Sequence, residues 1–294
     1  MPEEVPLDAS GLAELRDAGR RRVGLCVVEA PSSYFDAVAD AYTSAALVSA
    51  SARANDGRRV TPTGGVWRVG EVEEQIIAPS DMAPVVCNVI VVDQADSMDA
   101  KVADRLLKTL EEPGAKTSFC LCVGDLNSLG PTILGRANEI IRLLVDSSFV
   151  KGKLSSGALA GDIDSIEVVW GSRMGFLLDA GDDDVAELAA CGMMWGKGNG
   201  ATNAAVAAAG LERIGLAVAG PDKASGKAWA RRAVSILLSC WEERLGRCIS
   251  EGAETKVAQE AQDGLLLARA AQAHNAPLVL VLSVALVSGD GLGL

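Results

Sequence analysis

Histidine is almost missing from this chain, with one in 294 residues, and no Cys-x-x-Cys pair occurs anywhere. Tetrahedral zinc sites draw on such residues at short spacings, so a structural metal is not expected. Long apolar runs are missing too. The longest, Pro277 to Val287, falls well short of the roughly 20 residues that cross a bilayer, which excludes a helical membrane span there. Basic residues are outnumbered, 27 Lys and Arg against 39 Asp and Glu, for a net charge of −12. Affinity for a phosphate backbone depends on clustered Lys and Arg, so a surface that coats DNA by itself is not expected. The opening MPEEVPLDASGLAELRDAGRRR is polar and acidic where a signal peptide places a positive region and then an apolar one, and a cytoplasmic protein is expected. What is present is the material of packed domains: 49% hydrophobic against 22% charged residues. The length calls for more than one domain. Seven cysteines, an odd number, mostly lie in apolar runs and read as reduced core residues.

Periodicity orders the chain. Val23 to Val28 is a short apolar run of the kind buried on both faces of a sheet. Residues 35 to 50 place Phe35, Val38, Ala39, Tyr42, Ala46 and Leu47 at helical spacing. Ser51 to Gly65 reads as a loop, Val66 to Val69 as a short strand, and a helix follows from about Glu71. Val85 to Val92 is a second buried strand, ending in Asp93-Gln-Ala-Asp96. Ser97 is expected to cap the next helix, which carries Val102, Ala103, Leu106, Leu107 and Leu110 on one face and stops at Pro113. Phe119 to Val123 is a further strand, with a short helix around Pro131 to Ala137 and then Glu139 to Leu144. Strands alternating with helices imply a parallel sheet. Beyond Asp146 the composition shifts toward Gly, Ala and Asp, and small helices are expected. From about Ala224, Trp229, Ala233, Ile236, Leu237, Cys240, Trp241, Leu245 and Cys248 recur at three- and four-residue steps, a long helix with a buried face. Helices near Ala253 to Ala273 and from Asn275-Ala-Pro277 onward follow, with SGDGLGL as a loose tail.

The stretch VIVVDQADSMDAKVADRLLKTLEEPGAKTSFCLCVGDLNSLGPTILGRANEI, residues 89 to 140, resembles the clamp-loader subunits of the AAA+ family, closest to the delta-prime type of bacterial DNA polymerase III. That family carries an apolar strand ending Asp-Glu-Ala-Asp, a helix ending Leu-Leu-Lys-Thr-Leu-Glu-Glu-Pro, a sensor strand, and Pro-Thr-Ile before Ser-Arg-Cys. Here these are Asp93-Gln-Ala-Asp96, Leu106 to Pro113, Phe119 to Gly124, and Pro131-Thr-Ile133 before Gly135-Arg-Ala137. The resemblance implies an α/β fold: a P-loop NTPase-like parallel sheet domain over residues 1–146, a helical lid over 147–220 and an all-helical collar over 221–294 that assembles a ring. Its implied partners are clamp-loader ATPase subunits and a sliding clamp, with DNA met only within the complex.

Departures from the pattern matter as much. A P-loop needs glycine-rich backbone and a lysine to cradle phosphates, with Ser or Thr for magnesium. The expected place holds Glu29-Ala-Pro-Ser-Ser-Tyr-Phe-Asp36, without glycine or lysine and with two carboxylates that repel phosphate. Gln94 replaces the acid that polarises the attacking water and cannot accept a proton. Val123-Gly-Asp125 stands where the sensor Thr or Asn is usual, and the lid stretch Gly198 to Asn203 lacks an arginine. The resemblance therefore implies a subunit without ATPase activity of its own and without a bound cofactor. Arg136 persists at the place of the family's arginine finger, which stabilises charge on a neighbour's transferring phosphoryl group.

Plainer readings stand beside these. Asp93 and Asp96 are a magnesium site or, preferably, structural carboxylates, since no P-loop brings a triphosphate to share the metal. Arg136 is a finger or an ordinary turn residue. Trp229 and Trp241 stack on bases or, preferably, fill a core or collar contact. His274 has no partner cluster and reads as a helix-end surface residue. The Gly220 to Lys227 loop, preceded by an apolar run, imitates a P-loop and defines an alternative, an active NTPase. It has one residue too many between its glycines, and Ala228 replaces the magnesium-binding hydroxyl. A AAA+-like scaffold without a clamp is the third possibility.

Overall fold

The computed structural model describes residues 7–82, 86–114, 116–155, 163–180, 184–195, 198–219, 222–274, 276–289 and 292. They fall into two compact units, Met1–Asp146 and Ser147–Leu294. Val85, Gly181 to Asp183, the Gly220-Pro221 pair and most of the expected tail lie outside the described residues.

The first unit is built on strands β1 (Leu25–Glu29), β2 (Gly57–Val60), β3 (Asn88–Val92), β4 (Thr117–Val123) and β5 (Glu139–Arg142). They form one sheet in the order β2-β3-β4-β1-β5, and every pairing is parallel. Every residue of β1, β3 and β4 is buried, as continuous apolar runs require when helices cover both faces. On one face Leu25, Val27, Ile90, Val92, Phe119 and Leu121 join a core completed by α3 (Val69–Val72), a π-turn over Glu73–Ile77, α5 (Ala100–Glu111) and α6 (Pro131–Leu134). Between the π-turn and β3 lies α4 (Ala78–Asp81). α1 (Ala9–Arg21) and α2 (Phe35–Ala50) pack on each other, and α2 also meets β3 and β4.

Three local features differ from the expected ones. No strand forms at Val66 to Val69; the edge strand is β2, within the stretch read as a loop, running from Gly57 opposite Val89 to Val60 opposite Val92. An edge strand needs little burial, so Arg58 and Arg59 can sit in it without an apolar pattern. Trp67 enters the core instead and donates its indole N–H to the carbonyl of Asp93 at 2.8 Å. The polar lead holds helix α1, started by Asp8, whose carboxylate accepts from Gly11 at 2.9 Å. Asp99, not Ser97, caps α5, accepting the amide of Val102 at 2.8 Å; its extended backbone one residue before the helix is the geometry a cap needs.

The second unit is helical among the described residues: α7 (Ser147–Ser155), α8 (Ile163–Trp170), a 3-10 stretch over Gly171–Ala180, α9 (Val185–Gly192), α10 (Gly200–Ala219), α11 (Lys223–Ser250), α12 (Thr255–Ala273) and α13 (Leu278–Gly289). α10 is longer than the small helices expected there, and alanine's high helix propensity accounts for it. α10 approaches α11 at two glycines: a Cβ on Gly215 would lie 2.3 Å from the carbonyl oxygen of Gly226. Trp229 and Trp241 are buried, with Phe176 stacked on Trp229 and Trp195 on Trp241. Between α11 and α12, Arg269 donates to both carboxylate oxygens of Glu242 and to the hydroxyls of Ser235 and Ser239, so a charge placed between helices is fully used. All seven cysteines are unpaired in disulfides and buried. Burial, with Glu187 adding, pushes the Cys191 thiol up to about 12. His274 is exposed at the end of α12.

Candidate functional site

In a parallel sheet the carboxyl ends of the strands gather chemistry, because the loops that leave them converge at one edge. β1 ends at Glu29, which is buried; one of its carboxylate oxygens lies 3.0 Å from Nε of Arg142 at the end of β5, and the other accepts the amide of Leu126 at 3.2 Å. A short 3-10 turn, Ser32–Tyr34, leads into α2, which has no side-chain cap. Asp36 is in the first turn of that helix.

Asp93 follows β3 and is buried at this edge, with its side chain 3% exposed. Arg59, from β2, reaches its Oδ2 with Nε at 2.7 Å and with a terminal nitrogen at 2.6 Å. The Thr61 hydroxyl donates to the same oxygen at 3.0 Å. The remaining terminal nitrogen of Arg59 pairs with Asp36. One guanidinium thus ties the end of β3 to the start of α2. Partial burial alone pulls the Arg59 pKa down, but hydrogen bonds to Asp93 and Asp36 outweigh it, and the group is held above its ordinary value. The other oxygen of Asp93 is buried with no hydrogen-bond partner. Gln94, next in the chain, takes a left-handed backbone with φ of 52°, uncommon outside glycine and asparagine.

Asp96 does not cap a helix; its Oδ2 accepts the amide of Gly124 at 3.0 Å, linking the Asp93-to-Asp96 turn to the end of β4. Asp125, where the sensor residue was expected, is fully buried and accepts the amide of Asn127 at 3.2 Å as cap of a 3-10 turn. Among the described residues no group of three or more His, Cys, Asp or Glu side chains could hold a metal ion.

Arg136 lies just beyond α6, its amide donating to Ile133 at 3.0 Å. Its side chain turns back within the unit: Nε donates to Oε1 of Glu111 at 2.7 Å, one terminal nitrogen joins the same oxygen, and the other bonds the carbonyl of Thr132. Both partners keep solvent access, with side-chain exposures of 31% for Arg136 and 46% for Glu111. Gly135 has an ordinary right-handed backbone, and Ala137 packs against the core.

Sequence reasoning thus located Asp93, Asp96, Asp125 and Arg136 but gave Arg59 and Glu111 no role. The signal for Arg59 was the Arg58-Arg59 pair in a stretch read as loop; placing the strand there puts alternate side chains on opposite faces. The P-loop imitation is helical from Lys223. Asp222 accepts the amides of Ala224 and Ser225 at 3.2 and 3.1 Å, filling the helix end with a carboxylate. Gly226 is accounted for by the approach of Gly215. A surface groove of about 740 Å³ between α1 and α2, lined by Leu12, Arg16, Arg20 and Val48 among others, contains none of these residues.

Residues 51–144, which hold β2, β3, β4 and β5 but not β1, match the family described as DNA polymerase III, delta subunit. That match, over about a third of the chain, likens its sheet region to a clamp-loader subunit. Among solved structures, a DNA polymerase III gamma subunit-related protein of Thermotoga maritima aligns at 15% identity over 97% of this chain and 100% of that one, with a TM-score of 0.41. A mutant RuvB of the same organism aligns at 13% identity over 90% and 80%, with a TM-score of 0.37. No curated protein matches the chain.

Proposed function

We propose that this chain is a delta-prime-like, non-catalytic subunit of a clamp-loading complex. It joins ATPase subunits in a ring in the cytoplasm, meets DNA only as part of that assembly, and offers Arg136 to the nucleotide of a neighbour while a sliding clamp is opened. Residues 147–220 serve as the lid and 221–294 as the collar that holds the ring. The observation that carries the reading is a contrast between two stretches of one sheet unit. Arg136 follows Pro131-Thr-Ile133 inside the matched stretch, though Gly135 and Ala137 replace the family's Ser and Cys, whereas Glu29 to Asp36, ahead of that stretch, offers a phosphate neither glycine backbone nor lysine but two carboxylates. Such a subunit is inert in cis and useful in trans. The Glu111 pair supports this use, since a solvent-accessible ion pair is weak and can be exchanged for a phosphate.

The test is co-expression with the ATPase subunits of a clamp-loading complex, followed by ATPase assays on the purified assembly. The chain is expected to co-purify as a hetero-oligomer, and Arg136→Ala is expected to slow ATP hydrolysis by the assembly at least tenfold, as loss of a finger does (~10³ or more in well-studied cases). An unchanged rate, or failure to co-purify, would sink the reading.

A further inference from the structure

AAA+ folds imply a magnesium-bound triphosphate at the carboxyl edge of the sheet, and the residues here do not fit one. We propose that Arg59 is the resident cation of this edge. Its guanidinium takes the charge-neutralising place that a metal and its phosphate would fill, so the folded unit depends on neither a divalent ion nor a nucleotide.

Four observations converge. Asp93 is buried, and a buried carboxylate must be neutralised or paired; its Oδ2 receives two guanidinium nitrogens at 2.7 and 2.6 Å and a hydroxyl at 3.0 Å. The same guanidinium reaches Asp36 in the first turn of α2, the helix that would start at the phosphates. It thereby bridges the two elements that a bound nucleotide would bridge. The acidic end of β1 is met in the same way, by Arg142 on Glu29. Finally, Oδ1 of Asp93 is buried with no hydrogen-bond partner, yet a cation approaching it meets the positive charge of Arg59 on the adjoining oxygen, which opposes entry. Removing that charge while keeping the volume should therefore unmask a cation site at Asp93.

The inference concerns the isolated chain, so its test is separate from that of the ring. Thermal melts are recorded for the full chain and for Arg59→Met and Arg59→Lys, each in EDTA, in MgCl2, in MnCl2 and in MgCl2 with ATP. The unaltered chain should melt at one temperature in all four conditions. Arg59→Met should melt several degrees lower in EDTA and recover part of that loss in MnCl2, while Arg59→Lys, which keeps the charge, should not respond to the metal. The proposal is overturned if the unaltered chain is stabilised by a metal or by ATP, or if folded Arg59→Met ignores MnCl2. Should Arg59→Met fail to fold, the double variant Arg59→Met with Asp93→Asn, which removes both charges, should fold and ignore metal; failure of that protein as well also overturns it. Co-purification with ATPase subunits can succeed or fail whichever way these melts turn out.

Discussion

Two arginine–carboxylate pairs sit in the same unit and share one chemistry, yet the structure gives their carboxylates opposite surroundings. Arg59 meets Asp93 where the carboxylate is 3% exposed, with a hydroxyl and a second carboxylate completing the cluster. Arg136 meets Glu111 where both side chains keep contact with water. Burial sets the difference. In the first pair Arg59 cannot leave without stranding the Asp93 carboxylate in a poor solvent, so the cluster acts as a fixed part of the fold. In the second, water compensates whichever partner departs, and the pair can open at little cost. One arginine is thus built into the fold, and the other keeps its access to solvent.

Breaking the buried pair should give the largest effect. Arg59→Met strands the Asp93 carboxylate, and removing one partner of a buried pair costs about 3 to 5 kcal/mol. Because the Arg59 side chain is itself 34% exposed, about 3 kcal/mol is expected, read by urea denaturation of the full chain. Adding Asp93→Asn should return much of the loss, since the stranded charge is gone, and the double-mutant cycle measures the coupling directly. Equal losses in the single and double variants would place the cost elsewhere than in the pair.

How far these pairs were legible in the sequence follows from what each depends on. β1, β3 and β4 are continuous apolar runs, and burial on both faces made them readable from composition alone. α2 and α5 announced themselves through Val38, Tyr42, Val102 and Leu106 at helical spacing. β2 could not be read that way. As an edge strand containing two arginines it carries no apolar pattern, and only its pairing with β3 makes it a strand. Arg59 was hidden with it, because its role depends on Asp93, 34 residues away along the chain. α1 was hidden by its charged surface, although Leu15 and Ala18 on its inner face are fully buried. Arg136 was visible through the family resemblance, while its tie to Glu111 depends on the return of the chain after α6.

A smaller change within the buried cluster sharpens the contrast. Thr61→Val keeps the volume and removes one donor from Oδ2 of Asp93, leaving Arg59 in place. A hydrogen bond to a charged group contributes about 1.5 to 3 kcal/mol, but Thr61 sits at an exposed position and Arg59 still holds the oxygen, so about 1 kcal/mol is expected in the same urea measurement. A loss as large as that of Arg59→Met would mean that the hydroxyl, not the guanidinium, holds the carboxylate.

The exposed pair should yield least in stability, and that small number is informative. Glu111→Gln keeps the shape and one acceptor oxygen for Arg136 but removes the charge, and exposed pairs of this kind contribute about 0 to 1 kcal/mol. Urea denaturation should therefore barely move. If Arg136 trades Glu111 for a phosphate in trans, the variant lowers the cost of the exchange, and ATP hydrolysis by the reconstituted assembly should hold or rise while that of Arg136→Ala falls. If Glu111 instead aims the guanidinium, the rate should fall with Glu111→Gln although stability does not. A loss of several kcal/mol in the isolated chain would contradict both outcomes, because it would make the Arg136–Glu111 pair a fixed part of the fold like Arg59 and Asp93.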